Sequence, residues 1–314
     1  MKKLFISMLA VAALASCSQE DVIVADKGDL IGFNSFVENS TRAALDPSYG
    51  EAENAQKLTQ FNVWGTIQAD ATDAPVAIFA NDTVTGTVGE DSTWTCTSKT
   101  QYWINGALYN FAALANAGTV TRGEDLLPAS VEFTSNGSKD LIYAKSSQYQ
   151  GKPKGENVKV AFEFAHLLSK VHVKVTNLST DAKNYSFLVK NIKINAPKTG
   201  TYYIQAVGEH AAETWTTSNG DYTFDNLSVA GGAPGAECAA EQLLIPGDAT
   251  ITFDVDIFVD GEPMSTAHYP YTTTLAAATA YSFNIKVSVG DSIQFTVEEH
   301  PDWTSDPNGV VDIN

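Results

Sequence analysis

The 314-residue chain predicts an all-β protein, two β-sandwiches in tandem. Three observations carry this. Many short runs alternate apolar and polar side chains, which is the period of a half-buried strand. Turn residues separate those runs at near-regular intervals, the pattern of a sandwich. No run shows capped helical periodicity, and the alanine-rich Leu275 to Ala280 is too short to count as a helix. The runs fall into two blocks of similar size on either side of a central stretch, Val158 to Asn177, and a chain of this length accommodates two cores.

The chain opens with Met1-Lys2-Lys3 and an apolar run from Leu4 to Ala15, too short for a comfortable membrane span and of the form of a secretory signal, assigned to residues 1–16. Leu14-Ala15-Ser16-Cys17 resembles a bacterial lipobox, in which the signal is cut before the cysteine and the new N-terminus carries lipid. Cys17 is then the anchor to outer-membrane lipid, followed by an acidic lipid-proximal linker over residues 17–28. Its start, Ser18-Gln19-Glu20-Asp21, resembles the export signal of surface lipoproteins, and that resemblance implies display on the cell surface.

Strand signals then run almost without interruption. Leu30 to Val37 places Ile31, Phe33 and Val37 on one face, and a loop holding Ser40-Thr41-Arg42-Ala43-Ala44 follows. Phe61 to Ile67 alternates well, as does Val76 to Phe79 before the turn residues Asn81-Asp82. Val84 to Gly89 and Trp94-Thr95-Cys96 are short and threonine-rich, the look of edge strands or loops. Tyr102 to Ala113 is an aromatic hairpin candidate with Asn105-Gly106 as its turn. Asp140 to Ala144 makes another strand.

In the central stretch the apolar positions are first Val158, Val160, Phe162 and Phe164, then Val171, Val173 and Val175. The first set is even and the second odd, so a single flat strand would turn its apolar face outward near His166 to Ser169. A bulge in one long strand restores the phase, and so does a break that hands the chain to another sheet. Beyond it come Tyr185 to Ile194, Gly200 to Ile204, Glu241 to Pro246, Ile251 to Val259, Tyr281 to Val287 and Ile293 to Val297. The break gives a first sandwich at 29–165 and a second at 166–314.

The formal net charge is −18, and without the signal 17 basic residues face 37 acidic ones. Such a surface repels nucleic-acid phosphates and anionic headgroups, which excludes both as partners. An exported compartment allows one disulfide between Cys96 and Cys238, but they lie in opposite blocks, which favours two unpaired thiols.

No catalytic, cofactor or metal residue is assigned. The five histidines form no close metal-binding pair, and no nucleophile elbow or phosphate loop occurs. Asp254, Asp256 and Asp260-Gly261 are oxygen-rich enough to invite calcium, but the first two fall on the polar side of an alternating strand and the last pair reads as its turn. The five tryptophans admit a competing reading as a monomeric surface glycan-binding lipoprotein, although Trp64 and Trp103 lie in alternating runs that favour core. Asp82-Thr83-Val84, Asp91-Ser92-Thr93 and Asp291-Ser292-Ile293 resemble a short O-glycosylation pattern of exported proteins.

The order of lipobox, Ser40-Thr41-Arg42-Ala43, Tyr102-Trp103 to Ala113, Asp140-Leu141-Ile142-Tyr143-Ala144 and Phe164-Ala165-His166-Leu167-Leu168-Ser169-Lys170-Val171 resembles the fimbrillin family, the Bacteroidetes lipoproteins that build type V pili. The match is strongest from Ile31 to Val175. The resemblance implies two transthyretin-like Greek-key sandwiches, with Phe164 to Val171 near their junction, exported as an outer-membrane lipoprotein precursor that ends in a fimbrium. It implies cleavage between Arg42 and Ala43 by an arginine-specific protease, with removal of the strand carrying Ile31, Phe33 and Val37. A strand of another pilus subunit then fills the groove, satisfying its unpaired backbone and apolar floor. Candidates for the donated strand are the segment with Ile293, Phe295 and Val297, and the tail Val310-Val311-Asp312-Ile313.

Overall fold

The computed structural model describes residues 28–35, 58–86, 94–179, 185–229, 237–288, 294–301 and 310–312. All regular structure among them is β. In the first half the strands are β1 Phe33–Ser35, β2 Gln60–Gln68, β3 Val76–Thr85, β4 Thr95–Cys96, β5 Leu108–Ala115, β6 Val120–Arg122, β7 Pro128–Thr134, β8 Ile142–Lys145, β9 Tyr149–Gln150, β10 Val160–Phe162 and β11 Ala165–His166. In the second they are β12 Ser169–Asn177, β13 Tyr185–Tyr203, β14 Thr214–Thr223, β15 Leu227–Val229, β16 Glu237–Leu244, β17 Gly247–Val259, β18 Glu262–Leu275, β19 Thr279–Val287, β20 Gln294–Pro301 and β21 Val310–Asp312. The all-β class read from the alternation is the class observed.

The strands form two pairs of facing sheets. In the N-terminal pair, the sheet ordered β11-β8-β5-β2-β3-β4, with β9 beside β5, covers the two-stranded sheet β1-β10. Between them lies an aromatic core that includes Phe33, Phe61, Phe79, Trp103, Tyr109, Phe111 and Phe162. Its density depends on Gly65, where a Cβ would meet the rings of Phe111 and Phe79 at 2.7–2.9 Å. In the C-terminal pair, the sheets β16-β12-β19-β20-β21 and β18-β17-β13-β7-β6 enclose a core that includes Val171, Val173, Val175, Phe187, Phe253 and Phe283.

One hairpin crosses between the pairs. Strands β6 and β7 come from the first half of the chain, yet β7 pairs with the far end of β13, Thr134 opposite Thr199 and Ser130 opposite Tyr203. A third apolar cluster fills the junction, with Trp64, Leu114, Val131, Leu141, Leu168 and Ile245 among its members. Strand β5 therefore has both faces covered, Tyr109, Phe111 and Ala113 inward and Ala112 and Leu114 toward the junction. That explains why its end reads as the unbroken apolar run Phe111 to Ala115, which a strand buried on both sides requires.

The central stretch serves three sheets in succession: β10 pairs with β1, β11 with β8, and β12 with β16 and β19. The change of phase near His166 to Ser169 coincides with the passage from β11 to β12. Val171, Val173 and Val175 are fully buried as their spacing predicts. Val158 is not; it precedes β10 and is 63% exposed, because the pairing that fixes the inward face begins only at Val160.

Other local expectations are corrected. Asn81-Asp82 makes no turn: Val63 faces Asp82 and Trp64 faces Ala80, so Asn81, at φ 79°, is the extra residue of a bulge in β3. Asn105-Gly106 does turn, with Gly106 at φ 83°, but the arm before it joins the first segment, Tyr102 bridging Leu30, instead of pairing with β5. Tyr185 to Ile194 and Gly200 to Ile204 are largely one strand, β13, kept continuous by an irregularity at Asn191 (φ 52°) and another near Pro197. Asp260 and Gly261 form the expected two-residue turn, both at positive φ.

Candidate functional site

The site is the seat of the first strand. Segment 28–35 lies between two edges that run in opposite senses. On one side β1 runs parallel to β10, with Phe33, Asn34 and Ser35 opposite Val160, Ala161 and Phe162. On the other it is antiparallel to residues 101–103: the Ile31 amide donates to the Gln101 carbonyl at 2.9 Å, and the Trp103 amide donates to the Asp29 carbonyl at 2.9 Å. Gly28 is required at the entrance, since a Cβ there would meet the Trp103 carbonyl oxygen at 2.4 Å.

Side chains hold this strand more than its ladder does. Phe33 is 1% exposed and lies in a box of rings: Phe162 stacked at 6.0 Å, and Phe79, Phe61 and Phe111 edge-on at 5.7, 6.3 and 6.4 Å. Such offset and edge-on contacts add about 0.5–1.5 kcal/mol per pair beyond the area buried. Ile31 is buried beside it, while Leu30 between them and the entrance faces solvent, so the alternation of the sequence is the alternation of the seat.

A carboxylate latches the entrance. Asp29 accepts hydrogen bonds from the Gly155 amide at 2.7 Å and from the Asn157 side chain at 3.2 Å. The Gly155 amide first, and Asn157 after it, hold the Asp29 carboxyl below the usual carboxylate range. A carboxyl depressed in the folded state stabilises fully above its ordinary value, and that contribution is lost as pH falls through the depressed one. Protection of the Ile31 and Trp103 amides from hydrogen exchange is therefore expected to weaken in acid, and Asp29→Asn to remove that step. An unchanged acid dependence in the variant counts against the latch.

The sequence-derived residues distribute as follows. Ile31 and Phe33 come together in the seat. Phe295 and Val297 lie away from the seat in β20 of the C-terminal pair of sheets, where Phe295 stacks on Phe283 at 5.9 Å and Val297 is buried at 3% exposure. Cys17, Val37, Arg42, Ala43 and Ile293 lie outside the described residues. The sequence holds one other arginine, Arg122, and it is engaged in β6 opposite Pro128. Phe61, Phe79, Phe111 and Phe162, which make the box, were visible only as inward positions of separate strands.

The alternatives to a structural site find little here. Asp254 binds Asn191 and His268, Asp256 binds Lys190 and Thr266, and no group of three metal-ligating side chains occurs among the described residues. Cys96 is a free thiol. Trp64, Trp94 and Trp103 are buried, and Trp215 is half-buried against Tyr202, so none of these four offers an open stacking face. His166 binds Asp140 at 2.6 Å in the interior near the junction.

Fold and site together define an all-β protein with facing sheets whose first strand is held by a few rings and a short ladder. A family model described as fimbrillin-like matches residues 41–301, and the chain belongs to that family. Among solved structures, a candidate cell-adhesion protein from Bacteroides ovatus is 16% identical, with 89% of this chain and 99% of that one covered and a TM-score of 0.52. Another from Bacteroides uniformis is 17% identical over 88% and 98%, with a TM-score of 0.51. The fimbrial anchor protein Mfa2 from Porphyromonas gingivalis is 12% identical over 91% and 99%, with a TM-score of 0.37. No curated protein matches. Family membership supports a structural pilus or adhesin role at the cell surface.

Proposed function

We propose that the chain is a structural subunit of a type V pilus that supports adhesion. In this reading it is exported as a precursor acylated on Cys17 and held at the outer membrane. An arginine-specific protease cuts it between Arg42 and Ala43, and strand exchange joins it to its neighbours in the fimbrium. The observation that carries the reading is the seat of the first strand. Three residue pairs to β10, a bridge from Phe33 to Trp94 and a few bonds to residues 101–103 hold its backbone, while Ile31 and Phe33 fill a floor that another apolar strand could fill as well.

Two further points support it. Of the two arginines in the sequence, Arg122 is exposed but paired within β6 opposite Pro128, which favours Arg42 as the site of the cut. The donor belongs to the C-terminal end, and β21, paired to β20 over three residues at the sheet edge, is released more cheaply than β20, which is paired to β19 over eight and carries Phe295 and Val297. We carry the division into 29–165 and 166–314 as part of the same proposal; the two separate pairs of facing sheets support it, and the crossing β6–β7 hairpin ties them.

The test is to treat the unacylated precursor with an arginine-specific protease and examine it by electron microscopy and mass spectrometry. Filaments are expected, with a single cut after Arg42, and none from Arg42→Ala. A monodisperse cleaved product, or filaments unchanged by Arg42→Ala, overturns strand exchange.

A further inference from the structure

Eight large apolar side chains are well exposed among the described residues, and four of them gather at the entrance of the first-strand seat: Leu30 at 56%, Tyr102 at 38%, Ile104 at 40% and Val158 at 63%. Their proximity follows from the backbone. Leu30 bridges Tyr102, Ile104 shares Tyr102's outward face two residues on, and the Asn157 amide beside Val158 reaches Asp29. Gly151 abuts the Ile104 carbonyl, which brings the next residue, Lys152, to the same rim.

The charge of this rim is opposite to that of the protein. Residues 151–160 carry Lys152, Lys154 and Lys159, all exposed, against the single acid Glu156. Lys159 lies over Gly32 of the first strand, and Lys154 is close enough to Asp29 to help lower its carboxyl. Removing the first strand would take away Leu30 and Asp29 together, leaving Tyr102, Ile104 and Val158 with the three lysines. A compact basic and apolar face on a chain of net charge −18 fits an acidic partner, and a second copy of this chain is one. Its C-terminal residues 288–314 hold six acids, Asp291, Glu298, Glu299, Asp302, Asp306 and Asp312, and no lysine or arginine.

We propose that the face made by Tyr102, Ile104, Val158, Lys152, Lys154 and Lys159 receives the acidic C-terminal segment of a second copy, steering it to the mouth of the first-strand seat. The inference rests on the strand-exchange reading for its setting, but it concerns encounter and choice of partner, not the exchange itself. Charges at the rim of an interface act mainly on the association rate, and that action is screened by salt.

The experiment has two arms on the full unacylated chain after arginine-specific cleavage. In the first, zero-length carbodiimide cross-linking is applied to a mixture of isotope-labelled and unlabelled copies. Cross-links from Lys152, Lys154 or Lys159 of one copy to the C-terminal acids of the other are expected, and their absence overturns the proposal whether or not filaments grow. In the second, the initial assembly rate is followed by light scattering. The triple variant Lys152→Glu, Lys154→Glu, Lys159→Glu is expected to assemble about tenfold more slowly at low salt, with the gap closing as salt rises. Reversing Glu298, Glu299 and Asp302 to lysine in the same chain is expected to recover the rate. A triple variant that matches wild type at every salt concentration refutes the proposed face and leaves strand exchange standing. Cross-links without filaments do the reverse.

Discussion

Phe33→Ala is expected to loosen the first strand by about 3–5 kcal/mol, the range for emptying a buried phenylalanine site. The reason is local. Phe33 touches four rings from four different strands; Phe61, Phe79 and Phe111 are fixed in the larger facing sheet and cannot close the gap, while Phe162 stands on β10, paired to β1 itself. Because the ladder of β1 is short, the deficit falls on the docking of segment 28–35 rather than on the whole protein. The measurement is native-state hydrogen exchange at the Ile31 and Val160 amides, which bond across the two edges of the seat. Their opening is expected to become about a hundred- to several-thousandfold more frequent at 1.4 kcal/mol per decade. Amides of β12 and β19 are expected to exchange as before. Equal losses in both places would mean that the first strand melts only with the rest of the molecule, and the strand-exchange proposal would lose its physical basis.

The same seat marks what the sequence could and could not say. The alternation of Leu30, Ile31 and Phe33 named the inward side chains, because a strand's period is local information. What lies opposite them is not local. The parallel partner of β1 is β10, more than 120 residues away, and no periodicity encodes that distance. For the same reason the strands of the crossing hairpin, β6 and β7, were legible as neither a motif nor a boundary: Val120 to Thr134 carries its own turn, and only the register with Thr199 to Tyr203 reveals which sheet it joins. Val158 shows the opposite failure. It kept the apolar phase of Val160 and Phe162 but lay one step beyond the pairing, so a side chain read as core became part of the exposed rim. Where a turn was inferred from residue type alone, tertiary context decided. Asp260-Gly261 closed a two-residue hairpin, whereas Asn81-Asp82 was absorbed as a bulge in a strand long enough to run through it.

Leu168→Ala is expected to have a different signature, because Leu168 stabilises a junction and not a single core. It is fully buried in the cluster that joins the two pairs of sheets, with Val131 and Leu141 from the first half of the chain and Ile245 from the second. Its carbonyl accepts from the Ala278 amide just before β19, and the preceding Leu167 amide donates to Leu141 beside β8. Truncation costs about 2–5 kcal/mol, as for other buried leucines. At roughly 2 °C per kcal/mol for a chain of this size, Tm falls by about 4–10 °C. The cost comes out of the coupling between the sheet pairs, so calorimetry is expected to resolve two overlapping transitions in the variant where the parent melts in one. Val173→Ala supplies the comparison, a truncation inside the C-terminal core at a site equally buried. It should lower Tm without splitting the transition. If both variants melt in one step, the crossing hairpin alone, through β7 on β13, is sufficient to couple the halves, and the junction cluster contributes stability without contributing cooperativity.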